Sequence, residues 1–185
     1  MRIQRVAFVF LAAAGISAFA GLLQAQAPPA PTKGGARAPG PQIHANLGQL
    51  MKGILFPSSN VIFAAQGDNP ADVPPAKDPS LSPNPLASSY GKWEAVENAS
   101  LAIVEAANLL TIPGRKCANG RAVPITNADW AGLVQGLRDA GMVSYKAAQS
   151  KNQDNILMAA DTLSTACSNC HDKYREKPTL ADRCK

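Results

Sequence analysis

Two cysteines and a histidine stand close together near the end of the chain, in the segment Cys167-Ser168-Asn169-Cys170-His171. The spacing C-x-x-C-H is typical of covalent haem attachment. Because residues three and four apart share one face of a helix, Cys167 and Cys170 can both reach the vinyl groups along one edge of a porphyrin. His171 can then bring its imidazole to the iron as the proximal ligand. The pattern therefore predicts one covalently attached haem c.

The same segment has three other interpretations. A redox-active dithiol places C-x-x-C at the start of a helix after a strand, where the helix dipole lowers the thiol pKa, whereas this motif falls late in a helical pattern. A zinc site needs four ligands, and only His44, Cys117 and Cys184 remain among Cys and His. A disulfide within the motif would be strained in a helix and would leave the histidine without a role. Haem is therefore the favoured cofactor.

The second axial position on the iron has three candidate states. Met51 lies within the apolar stripe of the first helical pattern, where a thioether could reach the iron, although it could also be an ordinary core methionine. His44 lies near the start of the same pattern and could equally be a solvent-exposed residue. The third state is an open or transiently occupied position. Met51 is the favoured ligand, and a Met/His pair would raise the reduction potential.

Two residues just after the motif are expected near the haem. Tyr174 follows His171 by three positions and should lie on the same helix face. Arg175 follows by four and is expected to approach a haem propionate. Alternatively, this segment is a solvated helix end whose basic residues are placed favourably against the helix dipole.

Cys117 and Cys184 are the two remaining cysteines. In an exported protein such a pair suggests a disulfide, which would join the C-terminal tail to the loop before the third helix. Two separate free thiols are the alternative.

The N-terminus resembles an export signal. Arg2 and Arg5 precede an apolar stretch over residues 6–23, and the small residues Ala25 and Ala27 follow it. A permanent membrane anchor is the alternative, but the stretch is at the short end for a span. Residues 1–27 are therefore predicted to be a cleaved signal peptide, which implies a periplasmic location and no stable membrane span after cleavage. The Pro/Gly/Ala-rich residues 28–41 are expected to form a flexible linker.

The remaining residues, 42–185, are predicted to form one haem-binding domain. Aromatic residues make up only 5% of the chain, and Ala and Leu are abundant, which favours helices. Apolar residues recur at helical spacing in four segments, which are expected to run from 42 to 66 with a kink or restart at Pro57, from 88 to 110, from 126 with Asp129 in a capping box, and from 151 to about 178. Six prolines in residues 67–87 predict a long surface loop between the first two helices. The expected fold is all-α, an antiparallel four-helix bundle.

The chain resembles the cytochrome c-prime family over about residues 42–178. The resemblance lies in the C-x-x-C-H motif followed by Tyr174-Arg175, and in the segment Leu50-Met51-Lys52. The resemblance implies a four-helix bundle with haem on the last helix. In low-spin members a methionine on the first helix ligates the iron, which implies this role for Met51. In high-spin members an apolar side chain blocks that site, and small gases such as nitric oxide bind. Pro57, the long loop and the additional cysteine pair depart from the family pattern.

The function expected from these features is one-electron transfer in the periplasm, with an unidentified redox partner protein and no enzymatic activity. The alternatives are a gas-binding haem protein and a non-haem structural bundle. A peroxidase would need a distal acid/base, for which His44 is the spare histidine. The formal charge of +5 is too small to suggest nucleic-acid binding. Dimerisation through the first two helices is a further expectation that the resemblance raises.

Overall fold

The structure is a computed structural model that describes residues 40–185. The predicted signal peptide, and the predicted linker up to residue 39, lie outside the described residues. Within residues 40–185, no helix is both long enough and apolar enough to cross a membrane.

The described part of the chain is helical and contains no strand, which confirms the all-α prediction. Among these residues, β-type pairing is limited to one isolated bridge between Lys116 and Ala122. The helices are α1 (Leu47–Leu50), a π-helical segment (Met51–Leu55), α2 (Phe56–Gly67), α3 (Lys92–Leu109), α4 (Trp130–Ser150) and α5 (Gln153–Tyr174). The first three form one uninterrupted run, called here the first helical run.

The first helical run begins at Leu47, so the predicted start near residue 42 is wrong. Asn46 determines the start because it forms a capping box. Its side chain accepts the backbone N–H of Gln49 at 2.9 Å, and the Gln49 side chain accepts the backbone N–H of Asn46 at 2.9 Å.

The predicted start of the third helix at Thr126 is also wrong, because α4 begins at Trp130. Asp129 occupies the cap position, but its side chain makes no capping hydrogen bond within the described residues. Its carboxylate instead contacts Lys173 and Tyr174 at the far end of α5. A long-range contact has therefore replaced the predicted local one.

Pro57 is accommodated by the π-helical segment that precedes it. Proline has no N–H, and in an α-helix its ring would clash with the carbonyl of Gly53. Here the backbone N–H of Phe56 donates to the carbonyl of Met51, five residues earlier. The run therefore continues to Gly67, and Met51 becomes the first residue of the π-helical turn.

Residues 68–91 connect α2 to α3 and contain two short 3₁₀ turns, Pro79–Leu81 and Pro85–Ala87. Asp78 and Asn84 cap these turns, accepting the N–H groups of Ser80 at 3.2 Å and Leu86 at 3.0 Å. The Leu86 side chain is almost fully buried and anchors the segment against α3.

The four helical segments pack against one another around a shared core. α3 contacts α4, α4 contacts α5, and α2 contacts both α3 and α5. The largest fully buried apolar side chains are Ile62, Leu86, Val96, Ile103, Trp130, Ile156 and Leu163. α3 and α4 come so close at Gly141 that an added Cβ would lie 2.8 Å from Cγ2 of Val104 and 3.3 Å from Cγ2 of Ile103.

We predict that Gly141→Ala lowers the free energy of unfolding by about 1–3 kcal/mol, because the methyl group would overpack the α3–α4 contact. Gly136→Ala on the same helix is the matched control. Its Cβ meets no described atom within 4 Å, so this change should raise stability by about 0.5–1 kcal/mol. Urea unfolding followed by circular dichroism measures both. Equal effects of the two substitutions would contradict this close packing.

Candidate functional site

A cavity of about 850 Å³ lies between the first helical run, the start of α4 and the C-terminal half of α5. Cofactor and small-molecule sites typically have volumes of ~300–1,000 Å³. Its walls are mainly apolar and include Leu47, Leu55, Ile103, Trp130, Leu137 and Leu163. The cavity is therefore large enough, and apolar enough, for an organic cofactor.

The cavity brings together the residues that the sequence singled out for chemistry. Cys167, Cys170 and His171 line it from α5, and Met51 lines it from the first helical run. Both cysteines are half-buried and unbonded in the structure. His44, by contrast, is exposed and lies outside the cavity lining. The first helical run thus offers the cavity a thioether and not an imidazole.

Burial sets the protonation of the motif. Burial raises the pKa of the Cys167 thiol. Burial also raises the pKa of the Cys170 thiol, to about 11, with smaller contributions from the negative charges that Cys167 and Asp129 can carry. Burial is the largest cause that lowers the pKa of His171, and the positive charge of Arg175 lowers it further. At neutral pH both thiols are protonated and the imidazole is neutral. This is the opposite of the low thiol pKa that a dithiol oxidoreductase needs.

The position of the motif on its helix also argues against a dithiol oxidoreductase. The motif occupies the last turns of α5, far from the helix N-terminus at Gln153.

Nδ1 of His171 faces a guanidinium nitrogen of Arg175 at 3.4 Å. Nε2 is therefore the ring nitrogen of His171 that makes no hydrogen bond within residues 40–185, and a neutral imidazole with one open nitrogen suits metal binding.

Tyr174 fixes the end of α5 against the start of α4. Its side chain is almost fully buried, and its hydroxyl donates to Oδ1 of Asp129 at 2.7 Å and accepts from Nδ2 of Asn127 at 3.2 Å. Its ring packs edge-on against Trp130 with centroids 5.0 Å apart. Lys173 pairs with the same Asp129 carboxylate. Sequence reasoning missed Asp129 in this role, because no spacing links residues 129 and 174.

A disulfide holds the C-terminal tail beside the cavity. The structure joins Cys117 to Cys184, with Cα atoms 6.6 Å apart, and both cysteines line the cavity. Nδ2 of Asn119 donates to the carbonyls of Leu180 at 2.9 Å and Arg183 at 3.1 Å. The backbone N–H of Cys184 donates to the carbonyl of Tyr174 at 2.9 Å. The tail is therefore part of the cavity wall.

The cavity lining is basic. Lys52, Arg175 and Arg183 contribute positive charge, and none of the described lining residues is Asp or Glu. Sequence reasoning identified Arg175 but missed Lys52 and Arg183. The one sequence signal for Arg183 was its position beside Cys184. This charge distribution favours a ligand with anionic groups.

Within residues 40–185 there is no group of three or more His, Cys, Asp or Glu side chains arranged to hold a metal ion. A four-ligand zinc site is therefore not formed by this part of the chain. The motif can supply one nitrogen ligand to a metal and two thiols that can bond covalently to an organic ring carrying that metal.

No protein-family model, curated protein or solved structure matches the chain. The resemblance to the cytochrome c-prime family therefore stays a prediction.

We predict that Tyr174→Phe lowers the free energy of unfolding at pH 7, because a part-buried hydrogen bond to the Asp129 carboxylate is lost. Hydrogen bonds from Lys173 and then Tyr174 lower the pKa of Asp129. The contribution is therefore complete above the unfolded carboxyl pKa of ~3.9 and is lost as pH falls through the lower folded value.

Urea unfolding at several pH values measures this effect, which should shrink in acid. Tyr145→Phe is the control, because among residues 40–185 the Tyr145 hydroxyl accepts one exposed hydrogen bond, from Gln149 on its own helix. A pH-independent loss, or an equal loss in the control, would refute this role of Tyr174.

Proposed function

We propose that this protein is an exported mono-haem c-type cytochrome that transfers single electrons in the periplasm. One observation carries the proposal. A single apolar cavity is lined by both thiols and the imidazole of the C-x-x-C-H motif and by a thioether from another helix. No catalytic group is required for outer-sphere electron transfer, and we propose no enzymatic activity.

The cavity residues match the parts of a haem. A haem has a flat apolar ring, two carboxylates and an iron atom, and it supplies a one-electron couple when bound. The apolar walls would hold the ring, Cys167 and Cys170 would anchor its edge, and His171 would bind the iron. The basic lining would face the carboxylates, including Arg175, whose side chain is largely exposed.

Met51 is the proposed second axial ligand. It is half-buried, lines the cavity, and begins the π-helical segment that Pro57 imposes. π-Helical turns occur frequently at functional sites. A fixed Met/His pair would limit the rearrangement that accompanies electron transfer, and the methionine would raise the reduction potential.

We also propose that the four helical segments form an antiparallel bundle of the cytochrome c-prime type, with residues 67–87 as a long Pro-rich loop. The two-residue connection between α4 and α5, in which Lys151 adopts a left-handed conformation, supports antiparallel neighbours. The signal-like residues 1–27 support export. A redox partner protein and a homodimer belong to the same proposal.

A gas-binding protein is the second candidate. The observation that favours it is that Met51 is only half-buried and its neighbour Lys52 is exposed, so this side of the cavity is open to a small molecule. The apolar side chain of Leu55 lines the cavity beside it, which would favour an apolar gas over a polar ligand.

We predict that the full chain, expressed with a periplasmic haem-attachment system, carries the mass of one haem and a c-type visible spectrum. Changing Cys167 and Cys170 to Ala together should give a colourless chain. Ser168→Ala is the matched control, because Ser168 lies between the cysteines and is exposed, and it should keep the haem. A colourless wild-type protein would instead indicate the non-haem structural bundle.

We predict that Met51→Ala abolishes the far-red charge-transfer band of the oxidised protein and lowers the reduction potential, because the thioether ligand is lost. The variant should also acquire a spectral response to carbon monoxide. Met158→Ala is the control, since Met158 on α5 is 64% exposed and lies outside the cavity lining. A wild-type protein that lacks the band and responds to carbon monoxide would favour gas binding.

A further inference from the structure

Arg183 lines the cavity but has no part in the haem attachment or iron ligation proposed above. Its side chain is half-buried and lines the cavity. Its Nε is fully buried and makes no hydrogen bond among residues 40–185, so a ligand in the cavity can reach the guanidinium only through its terminal nitrogens. No described residue forms a salt bridge with those nitrogens. A charged donor without a partner favours an anionic acceptor.

The backbone around Arg183 is held firmly in place. The next residue, Cys184, is bonded to Cys117. Asn119 donates to the carbonyl of Arg183 at 3.1 Å, and the backbone N–H of Cys184 is bound to the carbonyl of Tyr174 at 2.9 Å. Arg183 therefore lines the cavity from a cross-linked segment of the chain.

The other cations of the lining are less suited to a buried anion. Lys52 is exposed. Arg175 is also exposed, and one of its guanidinium nitrogens lies 3.2 Å from a carboxylate oxygen of Glu176. Arg183 makes no salt bridge with any described residue, and its planar guanidinium matches a carboxylate in two parallel hydrogen bonds.

We propose that the Cys117–Cys184 disulfide fixes Arg183 as the residue that binds a carboxylate of the ligand in the cavity. This carboxylate is a haem propionate, an identification that rests on the proposed function. A cation beside a propionate offsets its negative charge, which disfavours the ferric state because that state carries one more positive charge. Arg183 therefore raises the reduction potential, and the disulfide maintains this effect by holding the tail.

The first test compares Arg183→Gln with Arg121→Gln in the haem-loaded full chain by spectroelectrochemical titration. Arg121 is exposed, lies outside the cavity lining and gives the same change in net charge. We expect Arg183→Gln to lower the equilibrium constant for reduction at least threefold, about 28 mV at ~59 mV per tenfold change. Arg121→Gln should have less than half this effect, and Arg183→Lys should restore most of the wild-type value.

The second test removes the tether by changing Cys117 and Cys184 to Ser together. The haem-loaded variant should show the same fall in the equilibrium constant for reduction. Adding Arg183→Gln to it should lower this constant no further, because both changes remove the same interaction. Equal potentials for the Arg183 and Arg121 variants would overturn the proposal, as would fully additive effects of tether and arginine. Measurement of the intact mass distinguishes a failure of the proposed function from a failure of the role of Arg183. A wild-type chain without haem would refute the proposed function and, with it, the binding of a propionate. A haem-loaded chain whose reduction potential does not change in the Arg183 variant would refute only the role of Arg183.

Discussion

The structure depends on an apolar volume that its own side chains leave unfilled. Protein interiors are packed about as densely as organic crystals, with few voids larger than a water molecule. Here an apolar cavity of about 850 Å³ lies beside a core of buried side chains. An apolar ligand in this cavity would supply packing contacts to the side chains that line it. The contacts around the cavity hold the motif and the C-terminal tail in position.

Three features keep the end of α5 in position. Tyr174 and Lys173 bind Asp129 at the start of α4, and Trp130 packs on the Tyr174 ring. The disulfide joins the tail after α5 to the loop before α4 across a sequence separation of 67 residues. In the chain-entropy model such a cross-link stabilises the folded state by about 4 kcal/mol. These contacts place the two thiols and the imidazole on one wall, while the π-helical turn places Met51 on another.

The sequence predicted the features that depend on local pattern. Helical spacing of apolar residues indicated the helical segments, and C-x-x-C-H selected three residues that line one cavity. It could not predict features that depend on distant contacts. Asp129 looked like a local cap because capping boxes are short-range patterns, yet a tyrosine and a lysine on another helix bind its carboxylate. Arg183 lines the cavity because the tail folds against Asn119, and no spacing in the sequence predicts that contact. Pro57 predicted a kink or a restart of the first helix, whereas the structure accommodates it with a π-helical turn that precedes it.

The proposed function rests on covalent attachment of one porphyrin to the two cysteines of α5. Digestion with trypsin after Lys151 and Lys173 releases residues 152–173, which contain both cysteines and the histidine. Mass spectrometry of this peptide, prepared from protein matured in the periplasm, reveals what its cysteines carry. We expect a peptide that carries one haem through two thioether bonds. A peptide with two free thiols, or with the two cysteines oxidised to each other, would refute the attachment.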